Sequence, residues 1–141
     1  MDKYNSKGYP DPTAAEALFN VAREEKATKA YIPLVYIASP LVGDTKRNIE
    51  QARGYCRFAV SRRTIPLAPH LLYPQFMDDE DNEQREQCIR FALILLGKCD
   101  ELWVFGDIIS EGMTREITKA KQRGMPIRYF NDTCEVKDDG A

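Results

Sequence analysis

The chain has no long hydrophobic run. Its longest uncharged stretch, Ala30 to Gly43, is 14 residues with Pro33 and Pro40 inside it, too short and too interrupted for a bilayer span. The opening Met1-Asp2-Lys3-Tyr4-Asn5-Ser6-Lys7 lacks the apolar segment of a secretion signal. Nor does one charge prevail. Lys plus Arg is 20 and Asp plus Glu is 22, a net of -2, which gives neither nucleic acid nor an anionic membrane an electrostatic hold. Cys56, Cys88, Cys99 and Cys134 show no C-x-x-C pairing, and the first three fall at apolar positions of helical patterns, as reduced buried thiols do. With one histidine, His70, they do not assemble a zinc set. Internal repeats, low-complexity segments, a Walker A loop and a G-x-G-x-x-G fingerprint are all missing. The expectation is a cytoplasmic protein with no metal, no cofactor, and no nucleic-acid or membrane partner.

What is present is an ordinary globular composition, 43% hydrophobic and 30% charged over 141 residues. A chain of this length buries roughly 68% of its unfolded surface and needs no disulfide or metal staple. Apolar strand-like runs alternate with amphipathic stretches, the pattern of βαβ units around a parallel sheet. Pro33 to Ala38 is a continuous apolar run and reads as a central strand. Thr45 to Arg63 reads as a helix with Ile49, Ala52, Cys56, Ala59 and Val60 on one face. Ile65 to Ala68, with a proline inside, reads as an edge strand.

From Pro69 to Asp81 the pattern predicts a long loop, and Asp81 then caps a helix from Asn82 to Lys98 with Cys88, Phe91, Ala92, Leu95, Leu96 and Cys99 on its inner stripe. Glu101 to Phe105 is a second central strand. A helix from about Gly112 to Arg123 follows, stopped by Gly124, and Ile127 to Phe130 is the fourth strand. Residues 132–141 read as a polar, frayed tail. At the other end, Thr13 and Glu16 form a capping box for a helix to about Lys26. The expected fold is a three-layer α/β domain, Rossmann-like or flavodoxin-like, with a four- or five-stranded parallel sheet over residues 31–131 and an N-terminal helical extension over 1–30.

In an open parallel sheet, ligands bind outside the carboxyl ends of the strands. Three loops fall there. The first, Ser39-Pro40-Leu41-Val42-Gly43-Asp44-Thr45, runs from a strand into a helix N-terminus, whose free N–H groups favour an anion; Ser39, Pro40 and Gly43 are its candidate contacts, and a plain turn capped by Asp44 or Thr45 is the structural alternative. The second contains His70 and the acidic run Asp78 to Asp81. The third leads to Gly112, after which Met113, Ile117 and Ala120 form an inward stripe with Glu116 on the same side. An inward carboxylate costs desolvation unless it is bonded or useful, although favourable charge near a helix N-terminus would also account for it.

The runs Tyr36-Ile37-Ala38-Ser39-Pro40, Cys99 to Gly106 and Ser110 to Ala120 resemble the nucleoside 2-deoxyribosyltransferase-like superfamily over about Val35 to Phe130. The likeness is strongest to an uncharacterised branch with the patterns P-H-L-x-x-P-Q-F, matched by Pro69 to Phe76, and I-S-x-G-M-x-x-E, matched by Ile109 to Glu116. The resemblance implies that Glu116, closing a G-x-x-x-E pattern from Gly112, attacks the anomeric carbon to give a glycosyl-enzyme. It also implies that Ser110, at a position where relatives acting on free nucleosides have an aspartate, favours a nucleoside 5′-monophosphate. One departure stands out: Ala92 occupies the place of an aspartate that assists at the base. Proton delivery then falls to His70, Asp78, Asp79 or Arg90, with His70 the catalytic candidate beside Glu116, and Asp79 and Gly112 substrate- or phosphate-binding candidates. The implied activity is nucleotide N-glycosidase or deoxyribosyltransferase, on a small-molecule nucleotide or nucleoside, in a homodimer or larger homo-oligomer that closes the pocket. The alternative is a catalytically inactive nucleotide-binding module or an oligomeric scaffold of the same fold.

Overall fold

The computed structural model describes residues 14–18, 20 and 30–137. The chain divides into two compact units, residues 1–32 and 33–141. In the first, residues 14–18 and 20 are helical; the expected cap Thr13 and the helix end near Lys26 lie outside the described residues, as do 138–141.

The second unit contains β1 (Leu34–Ala38), α1 (Thr45–Ser61), β2 (Ile65–Leu67), the single helical turn α2 (Pro69–Leu72), α3 (Asn82–Leu96), β3 (Glu101–Phe105), α4 (Glu111–Gln122) and β4 (Ile127–Phe130). All strands are parallel in the order β2-β1-β3-β4. The two strands with unbroken apolar runs are therefore central, and the proline-bearing β2 is an edge, as its missing N–H requires. At their starts β1 and β3 are clamped by Asp100, whose Oδ2 accepts the Leu34 N–H at 2.8 Å while its own N–H donates to the Leu34 carbonyl at 2.7 Å.

Strand alternation separates two cores. Val35, Ile37, Trp103 and Phe105 face α1 and pack with Tyr55, Ala59 and Phe130. Tyr36, Ala38, Leu102 and Val104 face α3 and α4 and pack with Leu96, Cys99, Met113 and Ala120. Asp44 and Asp81 cap their helices as expected, accepting from Arg47 and Glu83 at the starts of α1 and α3, and Ser110 accepts from Met113 at the start of α4. Gly124, at φ +66°, ends α4 in a conformation that a side chain would strain.

Four expectations are corrected. The segment after Pro69 is not all loop: Pro69 presets the first turn of α2, and Tyr73–Gln75 continues as a 3-10 turn with Pro74 in its first positions. Tyr55, not Val60, completes the buried face of α1, where Val60 is 60% exposed. Phe91 lies at the margin of its stripe, 39% exposed, because its ring packs sideways on Tyr73. The start of the tail is ordered: Asn131 Oδ1 accepts the N–H groups of Thr133 and Glu135, Val136 bridges antiparallel to Phe130, and Lys137 Nζ reaches Asp107 at 2.9 Å.

Candidate active site

At the carboxyl edge of the central strands, α4 starts behind Ser110 and α2 folds over the end of β1. Between them lies a cleft with a cavity volume of about 160 Å³, close to the roughly 150 Å³ of an apolar cavity that holds one benzene ring. Tyr36 contributes from β1, Leu41 from the turn after it, and Gly112 and Glu116 from α4. Pro69, His70, Tyr73 and Pro74 form the lid side, Met77 and Asp79 the following loop, and Cys88, Ile89, Ala92 and Leu93 the wall of α3.

Glu116 is the chemical centre of this cleft. The helical stripe that buries Met113 and Ala120 turns its side chain inward. Burial pushes its carboxyl up to about 7, a rise opposed by a hydrogen bond with Tyr36. The same burial, together with the charge of Glu116, raises the Tyr36 phenol well above its ordinary value, so Tyr36 stays a protonated donor to the carboxylate. One full helical turn earlier, a Cβ on Gly112 would meet only Ser110 Oγ, at 4.0 Å. A ligand can thus come close to the backbone at the start of α4, which lines the same cleft as the carboxyl group.

His70 is the second polar group. Its Nε2 and Ser39 Oγ are 2.8 Å apart, tying α2 to the end of β1. Burial lowers its pKa from 6.5 to about 4, so the imidazole is neutral at pH 7. Asp79 faces the cleft from an exposed loop whose neighbours are committed elsewhere: Asp78 Oδ1 accepts from Glu80 N, and Asp81 Oδ2 accepts from Gln84 Nε2.

The structure therefore brings together His70, Asp79, Gly112 and Glu116. Ser39 is buried beneath them with its hydroxyl engaged by His70. Pro40, Gly43 and Ser110 are not among the lining residues. Gly43, at φ +107°, is required by the turn into α1, and Ser110 Oγ accepts the Met113 N–H at 3.2 Å as the α4 cap. Sequence reasoning gave no role to Tyr36. A tyrosine inside a strand run reads as core, and the only signal was its hydroxyl, which must find a partner when buried. Among the described residues, no group of three His, Cys, Asp or Glu side chains is arranged to hold a metal, and no helix is long and apolar enough to cross a membrane.

This fold is similar to that of a 2-deoxyribosyltransferase from the psychrotolerant bacterium Bacillus psychrosaccharolyticus, described as a biocatalyst for the synthesis of nucleosides. The TM-score is 0.55 at 18% identity, covering 74% of this chain and 77% of that one. No curated protein matches the chain. The family model of a domain of unknown function, DUF7768, spans residues 33–130, from just before β1 to the end of β4 and so across every element that builds the cleft, and the chain belongs to that family.

Proposed function

We propose that this protein cleaves the N-glycosidic bond of a nucleoside 5′-monophosphate, with Glu116 as the nucleophile. The observation that carries this reading is the buried Glu116 carboxyl group, hydrogen-bonded to Tyr36 and lining one cleft with the open backbone of Gly112. Retaining glycosyl transfer needs a carboxylate below C1′ while oxocarbenium character develops. The hydrogen bond with Tyr36 favours the ionised carboxylate, and the apolar wall of Ile89, Ala92 and Leu93 suits a planar base. The N-termini of α1 and α4, with Ser39, Pro40, Gly43 and Ser110 around them, supply N–H groups for the 5′-phosphate. The likeness to a 2-deoxyribosyltransferase fold supports the reading.

Chromatography for free base after incubation with ribo- and deoxyribonucleoside 5′-monophosphates tests it. Wild type releases base, and Glu116→Gln, which keeps the shape without the anionic attack, lowers the rate by roughly a thousandfold or more. Equal release by both proteins would place the nucleophile elsewhere. Ser110→Asp, which sets a negative charge near the phosphate, weakens monophosphate binding in calorimetry by roughly tenfold; unchanged affinity removes Ser110 from the site. A second reading, a nucleotide-binding module without catalysis in a homo-oligomer, is favoured by one observation, the methyl group of Ala92 where an acid would assist the leaving base. Tight nucleotide binding with no base release from any substrate would select it.

A further inference from the structure

The cleft lacks what a neutral leaving base requires. A neutral purine or pyrimidine departs as an anion unless a proton reaches it. Yet Tyr36 is hydrogen-bonded to Glu116, the buried imidazole of His70 is neutral with its Nε2 engaged by Ser39, the Cys88 thiol of the α3 wall donates to Met77 Sδ at 3.4 Å, and the rest of that wall, Ile89, Ala92 and Leu93, is apolar. Among the described residues lining the cleft there is also no lysine or arginine, while two acidic side chains face it, Glu116 at the base of the cavity and Asp79 at its rim. Asp79 makes none of the local hydrogen bonds that occupy Asp78 and Asp81. Tyr73, its ring held against Phe76 and Phe91, and the thioether of Met77 complete an apolar, electron-rich surround. Such a site attracts an aromatic cation.

We infer that the base of the substrate is a positively charged N-heterocycle of the pyridinium type, recognised by Asp79, Tyr73 and Glu116, which leaves as a neutral molecule without protonation. This rests on the glycosidase reading and names its substrate class. In the first step a bond forms between a Glu116 carboxylate oxygen and C1′ as the C1′–N bond breaks. The released electron pair stays on the ring nitrogen and cancels its positive charge. In the second step a water oxygen bonds to C1′, the ester bond to Glu116 breaks to restore the carboxylate, and the proton of the water passes to solvent. No acid is needed at position 92.

Two measurements on the full chain decide this. The first compares free base released from nicotinamide riboside 5′-monophosphate with that from neutral purine and pyrimidine 5′-monophosphates, with Glu116→Gln as the control for spontaneous hydrolysis. The pyridinium nucleotide is expected to be cleaved at least roughly tenfold faster. Cleavage of neutral nucleotides at an equal or higher rate overturns the cation assignment and leaves the glycosidase reading standing, whereas no release from any compound overturns both. Because pyridinium glycosides are intrinsically the more labile, the second measurement is binding alone, by calorimetry with 1-methylnicotinamide and uncharged nicotinamide. The cation is expected to bind roughly tenfold tighter to wild type, with the preference falling to about two- or threefold in Asp79→Asn. Equal affinity of wild type for the two compounds overturns the proposal, and an unchanged preference in Asp79→Asn removes Asp79 from it.

Discussion

The two faces of one sheet differ in kind. Under α1, Phe105 stacks on Tyr55 at 4.3 Å and on Phe130 at 4.9 Å, Trp103 lies 5.2 Å from Phe130, and Phe58 meets three of these rings edge-on or tilted. Arg62 covers the outer side of Phe58. Under α3 and α4 the side chains are mainly aliphatic, and the face carries a cavity, a carboxyl group and a phenol. Neighbouring residues of β1 serve opposite ends: Val35 and Ile37 fill the aromatic core, while Tyr36 between them reaches Glu116. A rigid aromatic layer on one side lets the other keep an open, desolvated acid that costs stability.

The largest effect is expected from breaking the aromatic side. Phe105→Ala removes a fully buried ring with two stacked partners and should lower unfolding free energy by about 3–5 kcal/mol. Base release per folded molecule should stay within about twofold. Chemical denaturation and assay of the same preparation check both; a loss below about 1 kcal/mol would mean that the aromatic stack is not the main support.

The site side should show itself through pH. Glu116 has a folded pKa of about 7 against an ordinary 4.5, so its contribution is present below 4.5 and lost as pH rises through 7. His70 has a folded pKa of about 4 against 6.5, so its contribution is present above 6.5 and lost as pH falls through 4. Each is on the order of 3 kcal/mol, and the slopes oppose one another. Wild type should therefore change little in stability across this window. Glu116→Gln should gain stability as pH rises from about 4 to 6.5, and His70→Gln, which can still bond Ser39, should lose it as pH rises from about 4.5 to 7. Parallel urea titrations check this, and identical pH profiles for the two variants would contradict the burial of both groups.

These contrasts also mark what was legible in advance. The central strands were readable because burial on both faces leaves only unbroken apolar runs such as Leu34–Ala38, and α1, α3 and α4 because a helix buried on one side must repeat at 3.6 residues. Glu116 was visible as a carboxylate on an apolar stripe. The turn Pro69–Leu72 was not, since four residues carry no period and two prolines in six suggest a loop. Tyr36 was hidden because an inward tyrosine and an inward core residue look alike until the opposite wall is known. The resemblance makes Ser110, and the strand-to-helix turn makes Gly43, a candidate phosphate contact; in the structure Ser110 caps α4 and Gly43 shapes the turn into α1, both outside the residues that line the cleft.

The exposed ion pairs should matter least. Arg115 lies 3.4 Å from Glu111 and 3.8 Å from Glu86, linking α4 to α3 across solvent. Arg115→Ala should cost no more than about 1 kcal/mol, less at high salt. A larger loss in thermal denaturation would give these two helices a polar contribution that the aliphatic core does not predict.

The central claim, that the open face holds a nucleophilic carboxylate, is tested most directly by intact-mass and peptide-mass spectrometry of protein acid-quenched during turnover of a nucleoside 5′-monophosphate. A mass gain equal to one sugar phosphate residue, mapped to Glu116 and missing in Glu116→Gln, is the predicted result. Base release with the glycosyl group on another residue, or undiminished release by Glu116→Gln, would contradict it.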